Sequence, residues 1–498
     1  MTKRQVLEQS TFGKRVAEEE AEILSRYFVQ TEQWKRLLSG DVDIIYGPKG
    51  SGKSALYSLL TREFEKLRLE RRVVGIAAEN PRGTPAFRDL VDDPPASEEQ
   101  FRYLWKFYFL SLLAGYVNLH CITQGLHDDQ VENTVNILVD AGLMTTKFPV
   151  SLKSALKRAL DFVKSRPGSL EGIVKPDTTG TPAVSVRITF GEPTNEERKL
   201  GFISSDEAFQ NLTDFLKNQN ITVWLMLDRL DVAFTENSTL EKRGLRALFR
   251  TYLDLLAYER IGIKIFLRDD IWRRIVAEGF REASHITRSM TIVWDLASLQ
   301  NLIVRRALYN PSICEFYSVQ PEDILSSAAK QSEFFYKMFP SEIIKGKGKT
   351  LAWMLSRIAD ASKNPAPREL IHLLQVARDN QLRAYELGVA EPPEAQLIGR
   401  GAIQESLPEI SRVRFNLTLC AEYPALRSAW LKMENGKTAQ TLQSFSRLMD
   451  VTEEKGLTLA EEMVEAGFFV KKIEKGEQIY WVPFIYRDAL NMVQGKAD

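Results

Sequence analysis

Residues 43–60 read DIIYGPKGSGKSALYSLL, and no other stretch limits the fold as much. Ile44, Ile45 and Tyr46 form a short apolar run suited to a buried strand, Gly47 opens a glycine-rich turn, and helix-forming residues follow Lys53. GPKGSGKS fits G-x-x-x-x-G-K-[ST], in which small residues let backbone N–H groups close around phosphate oxygens at the positive end of the next helix. A glycine-rich surface turn can share these letters, but a strand before and a helix after are the context a phosphate loop requires. Gly47, Pro48, Lys49, Gly50, Ser51, Gly52, Lys53, Ser54 and Ala55 are therefore expected to bind a nucleoside triphosphate. Lys53 would hold the β- and γ-phosphates and Ser54 would be a Mg2+ ligand. No N/T-K-x-D run argues for guanine, so ATP is the expected nucleotide.

The magnesium side is expected in ITVWLMLDRLDVAF, residues 221–234, where an apolar strand ends on Asp228 and a second acid, Asp231, follows. An acid at the carboxyl end of a buried parallel strand lies beside the phosphate loop and can hold Mg2+ through water. An acidic turn after a core strand is the plainer alternative. Arg229 directly follows Asp228 and cannot accept a proton from water. Either Asp231, Glu79 or another acid orients the attacking water, or hydrolysis is slow and the nucleotide acts as a switch.

Apolar runs at Arg72 to Ala77, Ile263 to Leu267 and Met290 to Trp294 bring the strand total to five. Separated by helical patterns, they predict an α/β fold with a parallel five-stranded sheet. Arg268 ends one of these strands, where it could sense a γ-phosphate or pair with the acids that follow, Asp269 and Asp270. GLRALFRTYLDLLAYER carries apolar residues at helical spacing and predicts a covering helix. Its Arg243, Arg246, Arg250 and Arg260 are solvated charges or fingers reaching a neighbouring subunit.

With 498 residues the chain has room for about three domains. Lys plus Arg and Asp plus Glu each number 66, so no global basic field attracts nucleic acid or an anionic membrane. Cys121, Cys314 and Cys420 lie far apart, which points to neither a zinc site nor a disulfide framework. The start, MTKRQVLEQS, lacks the apolar core of a signal peptide, and FYFLSLLAGYVNL is too short to span a bilayer. A cytoplasmic setting and a buried helix are expected.

The chain divides into an N-terminal helical leader (1–40), an ATPase core (41–300), a helical lid (301–400) and a winged-helix-like end (401–498). The core carries an insertion at about 81–205, largely helical and followed by a hairpin-like excursion in KPDTTGTPAVSVRITFGEPTNEE; it could carry partner specificity or only cover the sheet. In KNPAPRELIHLLQVARDNQ, Pro365 and Pro367 mark a helix entry and Arg368 sits in the first turn, against the helix dipole. An anionic partner such as a γ-phosphate would explain that placement; a salt bridge to Glu369 or Asp360 would too. Helix, hairpin and helix are expected from residue 459 onward, with Lys471, Lys472 and Lys475 on the wing diluted by Glu474 and Glu477. DNA contact is possible there without being indicated by charge.

GPKGSGKSA, VWLMLDRLD, FLRDDIW, TIVWDLASLQNLIVRRAL, PAPREL and the terminal pattern, in that order, resemble bacterial P-loop ATPases of the AAA+/STAND grouping, close to origin-recognition ATPases in layout. The opening FGKRVAEEEAEILSRYFVQTEQWKRLLSG also resembles the leader of a bacterial ATPase branch. The resemblance implies sensor-1 and sensor-2 roles for Arg268 and Arg368, and an adenine-side role for the leader around Tyr27 to Trp34. It implies a nucleotide-controlled switch, often oligomeric, acting on a protein effector, in some members within anti-phage defence. Rival expectations are a DNA-associated ATPase of origin-recognition or mobile-element type, and a structural subunit holding ATP without turnover. Arg229 stands where the AAA+ pattern has Glu, which puts continuous hydrolysis in question.

Overall fold

The computed structural model describes residues 1–14, 20, 32–78, 94–145, 151–165, 187–230, 238–277, 279–361, 366–389, 391–474 and 476–497. They form two compact units. A sheet unit comprises Glu32–Gly47 and Lys53–Thr291, and a lid unit comprises Met1–Thr31, Pro48–Gly52 and Ile292–Asp498.

In the sheet unit the strands in chain order are β1 (Ile44–Gly47), β2 (Val73–Ala77), β3 (Ile188–Thr189), β4 (Ile203–Ser204), β5 (Thr222–Leu227), β6 (Ile261–Arg268) and β7 (Ser289–Thr291). Five of them make a parallel sheet in the order β2-β5-β6-β1-β7. Their apolar runs are continuous because both faces are covered, the pattern expected of a parallel sheet. This is the α/β P-loop architecture expected from the sequence.

The helix Lys53–Arg71 leaves β1 and stops where Arg72 turns left-handed, φ +56°, so that the chain enters β2 directly. Gly75 in β2 is required there: a Cβ would lie 1.9 Å from the Phe64 ring of that helix. The apolar FYFLSLLAGYVNL stretch lies within the helix Glu98–Gln124, which starts at an Ser97 N-cap and ends at left-handed Gly125. Phe101, Trp105, Phe107, Tyr108 and Phe109 are buried in the same core as β1, β5 and β6. Trp105 Nε1 donates to Gly244 O at 2.8 Å, and Tyr108 OH donates to Ala78 O at 2.7 Å. For this helix the insertion covers the sheet core. No helix among the described residues is long and apolar enough to cross a membrane.

The hairpin-like excursion differs from expectation. β3 and β4 pair in parallel, with the helix Asn195–Lys199 between them, so the described part of this segment is a short crossover. Capping decides this: Thr194 and Glu197 satisfy each other's backbone in a capping box and start a helix where a turn was expected.

In the lid unit one apolar core takes in Val6 and Leu7 from the helix Lys3–Glu8, Leu299 and Ile303 from the helix Leu296–Leu308, and Trp430 and Phe468 from the C-terminal part. The end of the chain forms a four-stranded sheet, β11-β8-β10-β9, from β8 (Lys437–Gln440), β9 (Val470–Glu474), β10 (Glu477–Trp481) and β11 (Val493–Lys496). Helices Leu442–Met449 and Glu453–Glu465 precede the β9–β10 hairpin, giving the winged-helix arrangement. The expected closing helix is only Phe484–Arg487, followed by one 3-10 turn, because Asn491 turns left-handed at φ +47° and sends the chain into β11.

Candidate functional site

The phosphate loop starts where β1 ends, flanked in the sheet by β6 on one side and β7 on the other. Gly50 and Gly52 have φ of +80° and +98°, a region side-chain-bearing residues rarely adopt. The loop thus needs glycine at both places. Lys53 Nζ donates to Gly47 O at 2.7 Å, drawing the ammonium back to the mouth of the loop. Ser54 and Ala55 follow in the first helical turn.

At the same edge of the sheet unit, Gly47 is level with Arg268, the last residue of β6. Asp228 follows directly from β5, on the other side of β6, and is 3% exposed. Ligand sites in open parallel sheets form at the carboxyl ends of strands, where the winding direction changes. Here β1 is followed in sequence by β2 at the far edge while β7 lies on its other side. Arg229 is left-handed, φ +57°, a conformation that costs a branched or long side chain about 1–2 kcal/mol. The chain therefore bends sharply just after the acid.

Arg268 makes a bidentate pair with Asp270, at 3.0 and 2.8 Å. Burial raises the Asp270 carboxyl, but Arg268 more than offsets it and holds the group below its ordinary range. Asp231, Glu79 and leader residues Tyr27 to Thr31 lie outside the described residues, as do Pro365 and Lys475. Trp34 is buried in the helix Glu32–Ser39. On the covering helix, Ser238–Leu255, Arg250 pairs with Glu98 and Glu282 and Arg246 donates to Ile275 O, while Arg260 lies beyond its end and donates to Thr222 Oγ1.

Within the lid unit, the loop residues Pro48–Gly52 meet the start of the helix Pro367–Glu386. A Cβ on Gly50 would stand 3.2 Å from Ala366 Cβ, 3.3 Å from Arg368 Cβ and 3.3 Å from Glu369 Oε2. Ser51 O accepts from Trp294 Nε1 at 2.8 Å, and Lys49 pairs with Glu422. Arg368 thereby lies beside Gly50 of the loop. Among the described residues it forms no ion pair with Glu369 or Asp360, because both acids accept from Arg414 at 2.9 Å. Sequence reasoning missed Arg414, Glu422 and Trp294. Nothing in RVRFN marks Arg414 as buried.

Two of the wing lysines, Lys471 and Lys472, are engaged within the chain. Lys471 pairs with Glu461 at 2.5 Å, and Lys472 Nζ lies 3.6 Å from the centre of the Trp481 ring.

No known family profile matches the chain. Over 316 residues it is 22% identical to a transposon gamma-delta protein of 80.3 kDa from Escherichia coli (strain K12), covering 59% of this chain and 39% of that protein. The chain thus spans about two fifths of the curated relative's length. Two solved structures are among those to which the chain is similar at low identity. The Aeropyrum pernix ORC1 protein in complex with DNA has 13% identity and a TM-score of 0.35, covering 99% of this chain and 97% of that one. The Aeropyrum pernix ORC2 protein, in ADPNP–ADP complexes, has 14% identity and a TM-score of 0.35, covering 98% and 97%.

Proposed function

We propose that this protein is an ATP-binding switch that hydrolyses its nucleotide slowly and passes the nucleotide state to a protein partner or to further copies of itself. The loop after β1 carries this reading: two positive-φ glycines, an invested lysine at its mouth and a helix start behind it form a phosphate cradle. Lys53 would hold the β- and γ-phosphates; Ser54 and Asp228 would hold Mg2+, the latter through water. Bound Mg2+ would neutralise charge on the phosphates. Arg368, beside the loop and without an ion pair among the described residues, suits an anion-contacting role from the lid. Arg268 would reach a phosphate only by exchanging its contact with Asp270. Arg229 supports slow turnover, since it cannot take a proton from water.

A second reading, a DNA-associated ATPase of mobile-element type, has the transposon-encoded relative in its favour. The engagement of Lys471 and Lys472 weighs against a phosphate-backbone role for the wing. An anti-phage setting has only the sequence resemblance behind it.

Steady-state ATP hydrolysis by wild type and Lys53→Ala, with and without duplex DNA and with retained nucleotide identified, tests both. Wild type is expected to bind ATP with Mg2+ and turn over below about 1 s−1, under the usual enzyme range. Lys53→Ala should lose binding at least tenfold. A wild-type protein that binds no nucleotide sinks the proposal, and strong stimulation by DNA would favour the second reading.

A further inference from the structure

Away from the phosphate loop, the lid unit gathers positive charge around aromatic rings and leaves part of it without acceptors among the described residues. Arg357, on the helix Thr350–Ile358, has its guanidinium 3.6 Å from the centre of the Phe484 ring and 5.1 Å from that of Trp353. Arg487 lies 4.0 Å from the same Phe484 ring. Trp353, Arg357, Ile410, Phe484, Arg487 and Asp488 line a cavity of about 200 Å³.

Stacking on a ring uses the face of a guanidinium and leaves its five in-plane N–H donors to be satisfied. Arg487 is only 7% exposed. Its Nε donates to Val482 O at 2.9 Å and its Nη1 to Gln494 Oε1, while Nη2 is buried with no hydrogen-bond partner among the described residues. Arg357 makes neither a hydrogen bond nor an ion pair among those residues, and the Trp353 Nε1 donor is likewise buried without an acceptor. The wall's Ser411 Oγ already accepts from Ala489 N at 2.9 Å. Buried donors left unmade are costly, and charged ones most of all.

Two guanidiniums face one carboxylate, Asp488, so the cavity carries one net positive charge. Burial and the neighbouring Arg357 push Arg487 down to about 10, and burial raises Asp488 despite both arginines. Apolar walls with a few convergent polar groups are the usual make-up of a small-molecule site.

We propose that this cavity binds a small organic oxyanion, a carboxylate or phosphate on an apolar body. Arg357 and Arg487 hold the oxyanion, and Phe484, Trp353 and Ile410 enclose the body. No step of the nucleotide reading uses these residues, so the site would serve a second ligand.

Benzoate and phenyl phosphate are the probes, with neutral benzamide as the control, titrated calorimetrically into the full chain and into Lys53→Ala, which removes binding at the phosphate loop. Saturable one-to-one binding of either anion, unchanged in Lys53→Ala and at least tenfold tighter than benzamide, is expected. Benzoate alone binding would assign a carboxylate, phenyl phosphate alone a phosphate. Arg357→Gln removes a side chain with no hydrogen bond or ion pair among the described residues, only ring contacts, and should weaken the anion at least tenfold with little change in melting temperature. Asp488→Asn should tighten it several-fold. Neither anion binding better than benzamide, or Arg357→Gln leaving affinity unchanged, overturns the proposal. Displacement of the bound anion by duplex DNA would overturn the small-molecule assignment and make the cavity a phosphodiester contact.

Discussion

Two ion clusters, one in each unit, are built with opposite polarity. In the sheet unit, Asp43 just ahead of β1 is 2% exposed and is held by Lys264 Nζ at 2.8 Å, Arg288 Nε at 2.8 Å and the Tyr252 hydroxyl at 3.1 Å. Lys264 is itself fully buried, donates to Val42 O at 2.6 Å and lies 4.3 Å over the Trp224 ring. In the lid unit, Arg414 donates to Glu369 and Asp360. One carboxylate serves two cations in the first cluster, and one cation serves two carboxylates in the second.

The central residue sets how each cluster responds. Burial lowers Lys264 below its ordinary range, and Asp43 only partly restores it, so a proton can leave at alkaline pH. Burial also opposes charge on Arg414, but Glu369, Tyr486 and Asp360 outweigh it and hold the guanidinium above its ordinary value. An arginine does not deprotonate in proteins, so the second cluster is a permanent lock. The central cation of the first cluster can thus lose its proton and that of the second does not.

Removing the central cation is expected to have the largest effect. Arg414→Met leaves the buried Glu369 and the half-buried Asp360 without their cation and should cost about 3–5 kcal/mol in urea unfolding. A loss under about 1 kcal/mol would show that these acids reach solvent and that the two clusters are not comparable. Asp43→Asn should cost somewhat less, about 2–3 kcal/mol, since Arg288, with its side chain 48% exposed, can turn to water.

Lys264→Met should cost no more than about 1.5 kcal/mol at neutral pH, because a buried ion exchanged for an apolar chain often breaks even. The folded pKa of Lys264 lies below 10.5, so between the two values the unfolded state binds more protons and this lysine's contribution rises with pH. Urea midpoints at pH 7 and pH 10 should therefore show wild type gaining on Lys264→Met. An equal gap at both would remove the contrast with Arg414.

The smallest effect is expected at the less buried pair, Arg268–Asp270. Asp270→Asn should cost about 1 kcal/mol. The folded pKa of Asp270 is below 3.8, so its stabilisation is complete above that range and is lost as pH falls through the folded value. The gap between wild type and variant should close in acid; a constant gap would mean that the carboxylate does not titrate with folding.

Parts of these clusters were visible in the chain. Lys264 interrupts the apolar run IGIKIFL, which signals either an edge position or a buried charge with a partner. Its partner Asp43 is 221 residues away, and no local pattern names it. Arg368 stood out against its helix dipole, yet the same segment gave no sign that Glu369 and Asp360 belong to Arg414, 45 and 54 residues on. The Arg268–Asp270 contact was one of two open alternatives, and proximity in sequence made it legible.

The sequence by itself determined the glycine-rich loop after β1, the acid closing β5 and the succession of buried strands. A phosphate cradle needs contiguous glycines, lysine and hydroxyl, and a buried strand needs an unbroken apolar run, so both are written locally. Only the tertiary structure decided which charges meet: Arg414 with two acids, Lys264 with Asp43, and Arg357 with Arg487 around Phe484. Electrostatic partnership depends on distance and burial in space, and separation along the chain carries no information about either.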